Sequence, residues 1–166
     1  MLRGKSALAG SLLLTVLGCG GHGGPTAATS TDLAGTWRSD QQKYSGAGES
    51  VSVLFEFKVN ATSTEVTSLR MINVGGSSHV LLVGPADDGW LPEGVARSVP
   101  ISGGSFEVSR SSGDFECNGS KGWSYSFKGW FRSSTNADGE WKDKNYGPAG
   151  YTFCGSESFD WKASKQ

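Results

Sequence analysis

The sequence has little of what helices, metal centres and nucleic-acid interfaces are made from. No stretch repeats apolar residues at helical spacing over a helix length, and Ala, Leu, Glu and Lys form no long run, which excludes a βαβ architecture. There are two histidines, His22 and His79, and no H-E-x-x-H, G-x-S-x-G or Walker sequence. The common sequence signatures of zinc peptidases, α/β-hydrolases and P-loop enzymes are therefore missing. Of the three cysteines, none has a partner at C-x₂₋₄-C spacing, so neither a metal nor another cofactor is expected. Lys and Arg are unclustered, and nucleic acid, whose binding depends on such clusters, is not an expected partner.

At the N-terminus, Arg3 and Lys5 precede an uncharged apolar run over residues 7–17. This run is shorter than the roughly 20 residues that cross a bilayer. Charged, apolar and small segments in that order make residues 1–18 a secretory signal. Residues 20–31 hold no large apolar side chain and form a tether rather than a core. Val16-Leu17-Gly18-Cys19 resembles the lipobox of bacterial lipoproteins. The resemblance implies a lipid (diacylglyceryl) on Cys19, cleavage just before it, and an anchor facing an extracytoplasmic compartment of a bacterial cell envelope. By the same resemblance, Gly20 rather than Asp after the cysteine is compatible with an outer membrane where one exists. Without residues 1–18, 13 basic groups face 16 acidic ones, a formal charge of −3.

Residues 32–164 are expected to form one antiparallel all-β domain, a barrel or a sandwich of about eight to ten short strands. Glycine, at 25 of 166 residues, and six tryptophans favour strands joined by tight turns. Val51, Val53, Phe55, Phe57 and Val59 alternate with mostly polar residues, as do Trp123, Tyr125, Phe127, Gly129 and Phe131, and again Phe159 and Trp161. Period two with one apolar face marks strands lying on a core. Residues 65–74 and 77–83, separated by Gly75-Gly76, predict a hairpin, and shorter strands are expected at 97–101, around Phe106 and Val108, at 139–142 and at 151–154. Cys117 and Cys154 are an even pair in an exported domain, for which a disulfide is the default.

Two resemblances accompany this reading. Phe127-x-Gly129-x-Phe131 with Gly139-x-Trp141, Cys154-Gly155-Ser156 and Trp161-x-Ala163 is similar to exported bacterial β-domains of unknown function, over about residues 104–163. Gly35-Thr36-Trp37 resembles the opening of lipocalin-like and avidin-like barrels, implying a closed or nearly closed antiparallel sheet. In lipocalins an arginine near the last strand covers that tryptophan; here the final strand offers Lys162.

No catalytic residue is expected. His79 begins an apolar strand and reads as structural, Asp87-Asp88-Gly89 reads as a solvated turn, and the other carboxylates are scattered. The remaining candidates are aromatic: Trp130, whose parity turns it away from the core face, Trp90 in a loop, and Tyr44 and Tyr146 in Gly/Ser-rich connections. These favour a non-enzymatic binding or structural module meeting an envelope protein or glycan, with protein the more frequent neighbour. The alternatives are a lipocalin-like barrel holding a small ligand and an envelope hydrolase. An open interior separates the first alternative, and His79 or paired carboxylates in one concavity separates the second.

Overall fold

The computed structural model describes residues 32–46, 49–75, 79–85, 95–117, 119–145 and 154–166, without the side chains of residues 46, 49, 114–117, 120 and 121. Residues 1–31, Trp90 and Tyr146 lie outside the described residues, and with them the export segment, Cys19 and the tether. The strands are β1 (Gly35–Ser39), β2 (Gln42–Gly46), β3 (Glu49–Val59), β4 (Glu65–Val74), β5 (His79–Val83), β6 (Val99–Pro100), β7 (Ser105–Cys117), β8 (Ser120–Phe131), β9 (Asn136–Lys144) and β10 (Ser158–Lys165). Strand makes up 71% of the described residues and helix none, so the protein is all-β, one sheet curled into a nearly closed antiparallel barrel.

The strand order is β5-β4-β3-β1-β10-β9-β8-β7. Strands β1 and β2 pair in turn along one edge of β3, and β5 and β6 along one edge of β4, so each couple is one interrupted strand. Counted that way, eight strands follow one another around the barrel in chain order. First and last are joined by the β1–β10 ladder, in which Trp37 faces Lys165 and Ser39 faces Ala163. The seam lies between β6 and β7, where a tight turn exchanges backbone hydrogen bonds between Ser102 and Ser105 (2.8 and 3.0 Å) and Gly104 accepts from Phe131 N–H at 2.8 Å. The Phe106 ring closes the seam from inside, 5.3 Å from Phe57 and 5.7 Å from Phe131.

Alternation sets the two faces as the sequence implied. On β3, Val53, Phe55, Phe57 and Val59 are buried and join the core. On β8, Tyr125, Phe127 and Phe131 do the same, with Gly129 between them. Gly129 pairs with Gly139 across the β8–β9 ladder. A Cβ on Gly129 would stand 2.4 Å from the Phe106 ring, and one on Gly139 1.9 Å from the Lys128 carbonyl oxygen and 2.2 Å from the Trp161 ring. These glycines are places where large rings lie flat on backbone.

Three expectations need correction. Residues 42–46 form β2 rather than a connection, and Tyr44 is buried, 1% exposed. A single apolar residue among Gln42, Lys43, Ser45 and Gly46 gives no alternation to read, and the pairing with β3 makes the strand. Strand β7 runs well past Val108 into a polar stretch carried by its ladder with β8. The last-strand cation beside the opening Gly35-Thr36-Trp37 is Lys165, opposite Trp37 and 3.3 Å from the Asp32 carboxylate; Lys162 is exposed. Of the strand expected at 151–154, only Cys154 is described, and it lies outside any strand.

Candidate functional site

Among the described residues the barrel interior is packed with aromatic rings. Phe55 lies 4.6 Å from Phe127 and 5.5 Å from Trp141, Phe127 stacks on Trp161 at 4.7 Å, and Trp37 stacks on Phe57 at 5.9 Å. These are ring-contact separations. Trp37 donates its indole N–H to the Leu33 carbonyl at 2.9 Å, whereas the indole N–H of Trp161 is buried with no acceptor among the described residues.

Polarity enters the interior at one end. Asp143, buried on β9, accepts from the Tyr44 hydroxyl at 2.5 Å, the Trp141 indole N–H at 2.7 Å and the Glu157 backbone N–H at 3.2 Å. Burial pushes its carboxyl up to about 6 against these three donors, which favour the charged form. Asn145, at φ +52°, donates to the Gly122 carbonyl at 3.0 Å and accepts from Gly155 N–H at 3.1 Å. Together Asp143 and Asn145 fasten the returning segment at Gly155 and Glu157 onto β9. The described polar contacts of Asp143 tie β2, β9 and the segment before β10 together. No local pattern signals it, because Asp143 lies amid Lys142, Lys144 and Asn145 and reads as a solvated stretch.

The outer face of β7 to β10 differs in kind. Along β8 and just past its end it presents Ser124, Ser126, Lys128, Trp130 and Arg132, all partly exposed, and Trp130 points outward as its parity implied. Trp130 lines two surface depressions. One, of about 660 Å³, is bordered by Asp40, Gln42, Arg132, Asp138, Asp160 and Lys162, and Glu140 also lines it. The other, of about 340 Å³, includes Pro100, Ser102, Ser105, Glu107 and Lys128. The Arg132 guanidinium carbon is 5.8 Å from the Trp130 ring centre, and its nitrogens grip Asp138 at 2.7–2.9 Å. Lys128 pairs with Glu107 at 3.3 Å.

The larger depression does gather carboxylates, a geometry a hydrolase requires. Asp138 is held by Arg132, Asp40 accepts from Gln42 at 2.9 Å and from Lys162 backbone N–H at 3.0 Å, and Glu140 is paired with Lys142 at 2.6 Å. Lys142 holds the Glu140 carboxyl below its ordinary range. That is opposite to the raised carboxyl a general acid needs. His79 is exposed on β5 and lines neither depression. Among the described residues no group of three or more His, Cys, Asp or Glu forms a metal site.

Cys154 is disulfide-bonded. The Cys117 side chain lies outside the described ones, although its backbone ends β7 opposite Ser120. No family model, curated protein or solved structure matches this chain.

Proposed function

We propose that this chain is a lipid-anchored recognition module of a bacterial envelope, carried on Cys19 and a tether over residues 20–31, with its binding surface on the outside of the barrel around Trp130. The observation that carries this reading is the contrast on one strand: the inward side chains of β8 are packed into a filled core, while Trp130 lies partly exposed between two depressions. A barrel carrying a small apolar ligand needs interior space, and ring packing inside the barrel argues against that alternative. The engaged carboxylates of the larger depression argue against a hydrolase.

The partner meets the outer face rather than the interior, and the formal charge of −3 of the chain from Cys19 onward gives it no reason to be a phosphate polymer. We further propose that Cys154 pairs with Cys117, so that the bond ties the far end of the β7–β8 hairpin to the segment entering β10.

The test is retention of envelope components by the full chain, compared with Trp130→Ala after its circular dichroism has been matched to the parent. Loss of a specific partner on substitution is expected. Undiminished retention of every specific partner contradicts the reading. Intact mass of membrane-extracted protein checks Cys19: a diacylglyceryl-modified chain beginning there is expected, and a chain retaining Met1 contradicts it. Alkylation without reductant is expected to leave Cys117 and Cys154 unlabelled.

A further inference from the structure

We infer that the outer-face site binds a glycan, one pyranose ring of a neutral or amine-bearing β-linked oligosaccharide lying on the Trp130 indole. This rests on the outer-face reading above and names its ligand class. Three observations lead to it.

The first is the polar setting of the ring. Its outward companions are Ser124, Ser126 and Lys128 on β8 and Arg132 just beyond it, and its ladder neighbours are Ser105 and Asp138. A protein docking site has a desolvated core of several apolar side chains within a polar rim. In the larger depression the ring is bordered chiefly by hydrogen-bonding groups, with the Arg132 guanidinium beside it, while Val99, Pro100 and Phe106 add apolar surface only in the smaller one. A sugar has the matching construction, since the C–H face of a gluco-configured pyranose is apolar and its equatorial hydroxyls point outward in the ring plane.

The second is the mixture of donors and acceptors around the ring. Arg132, Lys128, Lys162 and Gln42 donate, while Asp138, Glu107, Asp160 and Asp40 accept. A hydroxyl is donor and acceptor at once, and paired carboxylate and cation side chains serve both functions. The ion pairs Arg132–Asp138 and Lys128–Glu107 hold these groups in place before a ligand arrives.

The third is charge. Around the larger depression Asp40, Asp138, Glu140 and Asp160 stand against Arg132, Lys162 and the Lys142 that pairs with Glu140, a formal excess of one negative charge. Uronates, phosphates and sulfates are disfavoured there, and neutral or amine-bearing sugars are not. The two depressions, about 660 and 340 Å³, lie to either side of the same indole, which leaves room for sugars beyond the stacked one.

The test is calorimetric titration of the full chain in phosphocholine detergent, chosen to keep sugar headgroups out of the sample. The probes are cellotetraose, β-1,4-linked N-acetylglucosamine tetramer, glucosamine tetramer and tetragalacturonate. Binding of at least one of the first three in the micromolar to millimolar range is expected, with none of tetragalacturonate. Trp130→Ala is expected to weaken it at least tenfold, and Trp130→Phe, which keeps a smaller ring, to weaken it less. If the alanine chain does not fold, Trp130→Phe carries the test, and an affinity equal to the parent's contradicts the inference. No binding of the three sugars at 10 mM, or unchanged binding by folded Trp130→Ala, overturns it. An envelope protein captured through Trp130 and not displaced by any sugar overturns the glycan assignment and leaves the outer-face reading standing. Partners retained regardless of Trp130 overturn both.

Discussion

The two faces of β8 are built from one stretch of chain and do opposite work. Inside, Tyr125, Phe127 and Phe131 are at most 4% exposed, and Gly129 leaves space where the Phe106 ring lies. Outside, Ser124, Ser126, Lys128, Trp130 and Arg132 form a polar surface with one ring in it. Tryptophan is expensive to leave in water, and a fold that hides Trp37, Trp141 and Trp161 completely has the means to hide another. Within one strand, then, aromatic rings are buried in the core on one side and one ring is left partly exposed on the other.

That contrast gives a ranked set of outcomes. The largest effect is expected from Gly139→Ala, whose Cβ would meet the Lys128 carbonyl at 1.9 Å and the Trp161 ring at 2.2 Å. Neither a backbone carbonyl in a ladder nor a packed indole can yield cheaply, so the loss is expected to exceed about 4 kcal/mol. Urea unfolding, or failure to obtain folded protein, checks it. Next, Phe127→Ala removes a fully buried ring that packs on Phe55 and Trp161, and is expected to cost about 3–5 kcal/mol in the same measurement.

Asp143 comes third and has a pH signature. Asp143→Ala deprives Tyr44, Trp141 and Glu157 N–H of their acceptor, at about 2–4 kcal/mol. In the parent, burial raises the carboxyl to about 6, so the folded state holds its proton at pH values where the unfolded chain has released it. The stability this contributes is complete below about pH 4, near the ordinary aspartate value, and is lost as pH rises through 6. The difference in stability between the parent and Asp143→Asn is therefore expected to fall by up to about 3 kcal/mol from pH 4 to 7. A flat difference contradicts this. On protonation the Tyr44 hydroxyl can turn from donor to acceptor, which keeps the contact at low pH.

The outer face supplies the smallest effects on stability. Trp130→Ala is expected to cost under about 1 kcal/mol while weakening partner binding at least tenfold, and Lys142→Ala is expected to leave stability nearly unchanged, since its pair with Glu140 is solvent-exposed. A Trp130→Ala loss as large as that of Phe127→Ala would remove the distinction between the two faces.

Much of this was legible in the chain. Alternation at Val53, Phe55, Phe57 and Val59 and at Tyr125, Phe127 and Phe131 marks inward faces directly, because strand periodicity is local. The outward parity of Trp130 follows from the same count. Tyr44 was not legible, because its burial comes from β2 lying along β3 and from a hydroxyl bond to a residue 99 positions away. Asp143 was hidden for the same reason, since a carboxylate between two lysines shows nothing of the three donors that the fold brings to it. The choice of barrel over sandwich rests on the β1–β10 ladder between the two ends of the domain, which no local pattern encodes.

The most direct test of recognition on the outside of a filled barrel is the indole N–H spectrum of the full chain, with each resonance assigned by single Trp→Phe substitution. It is recorded with added β-1,4-linked N-acetylglucosamine tetramer and, separately, with palmitate. The Trp130 resonance is expected to move with the sugar, while those of Trp37, Trp141 and Trp161 stay in place with either addition. Saturable shifts of the three interior indoles on adding palmitate, with Trp130 unmoved by the sugar, would contradict the account.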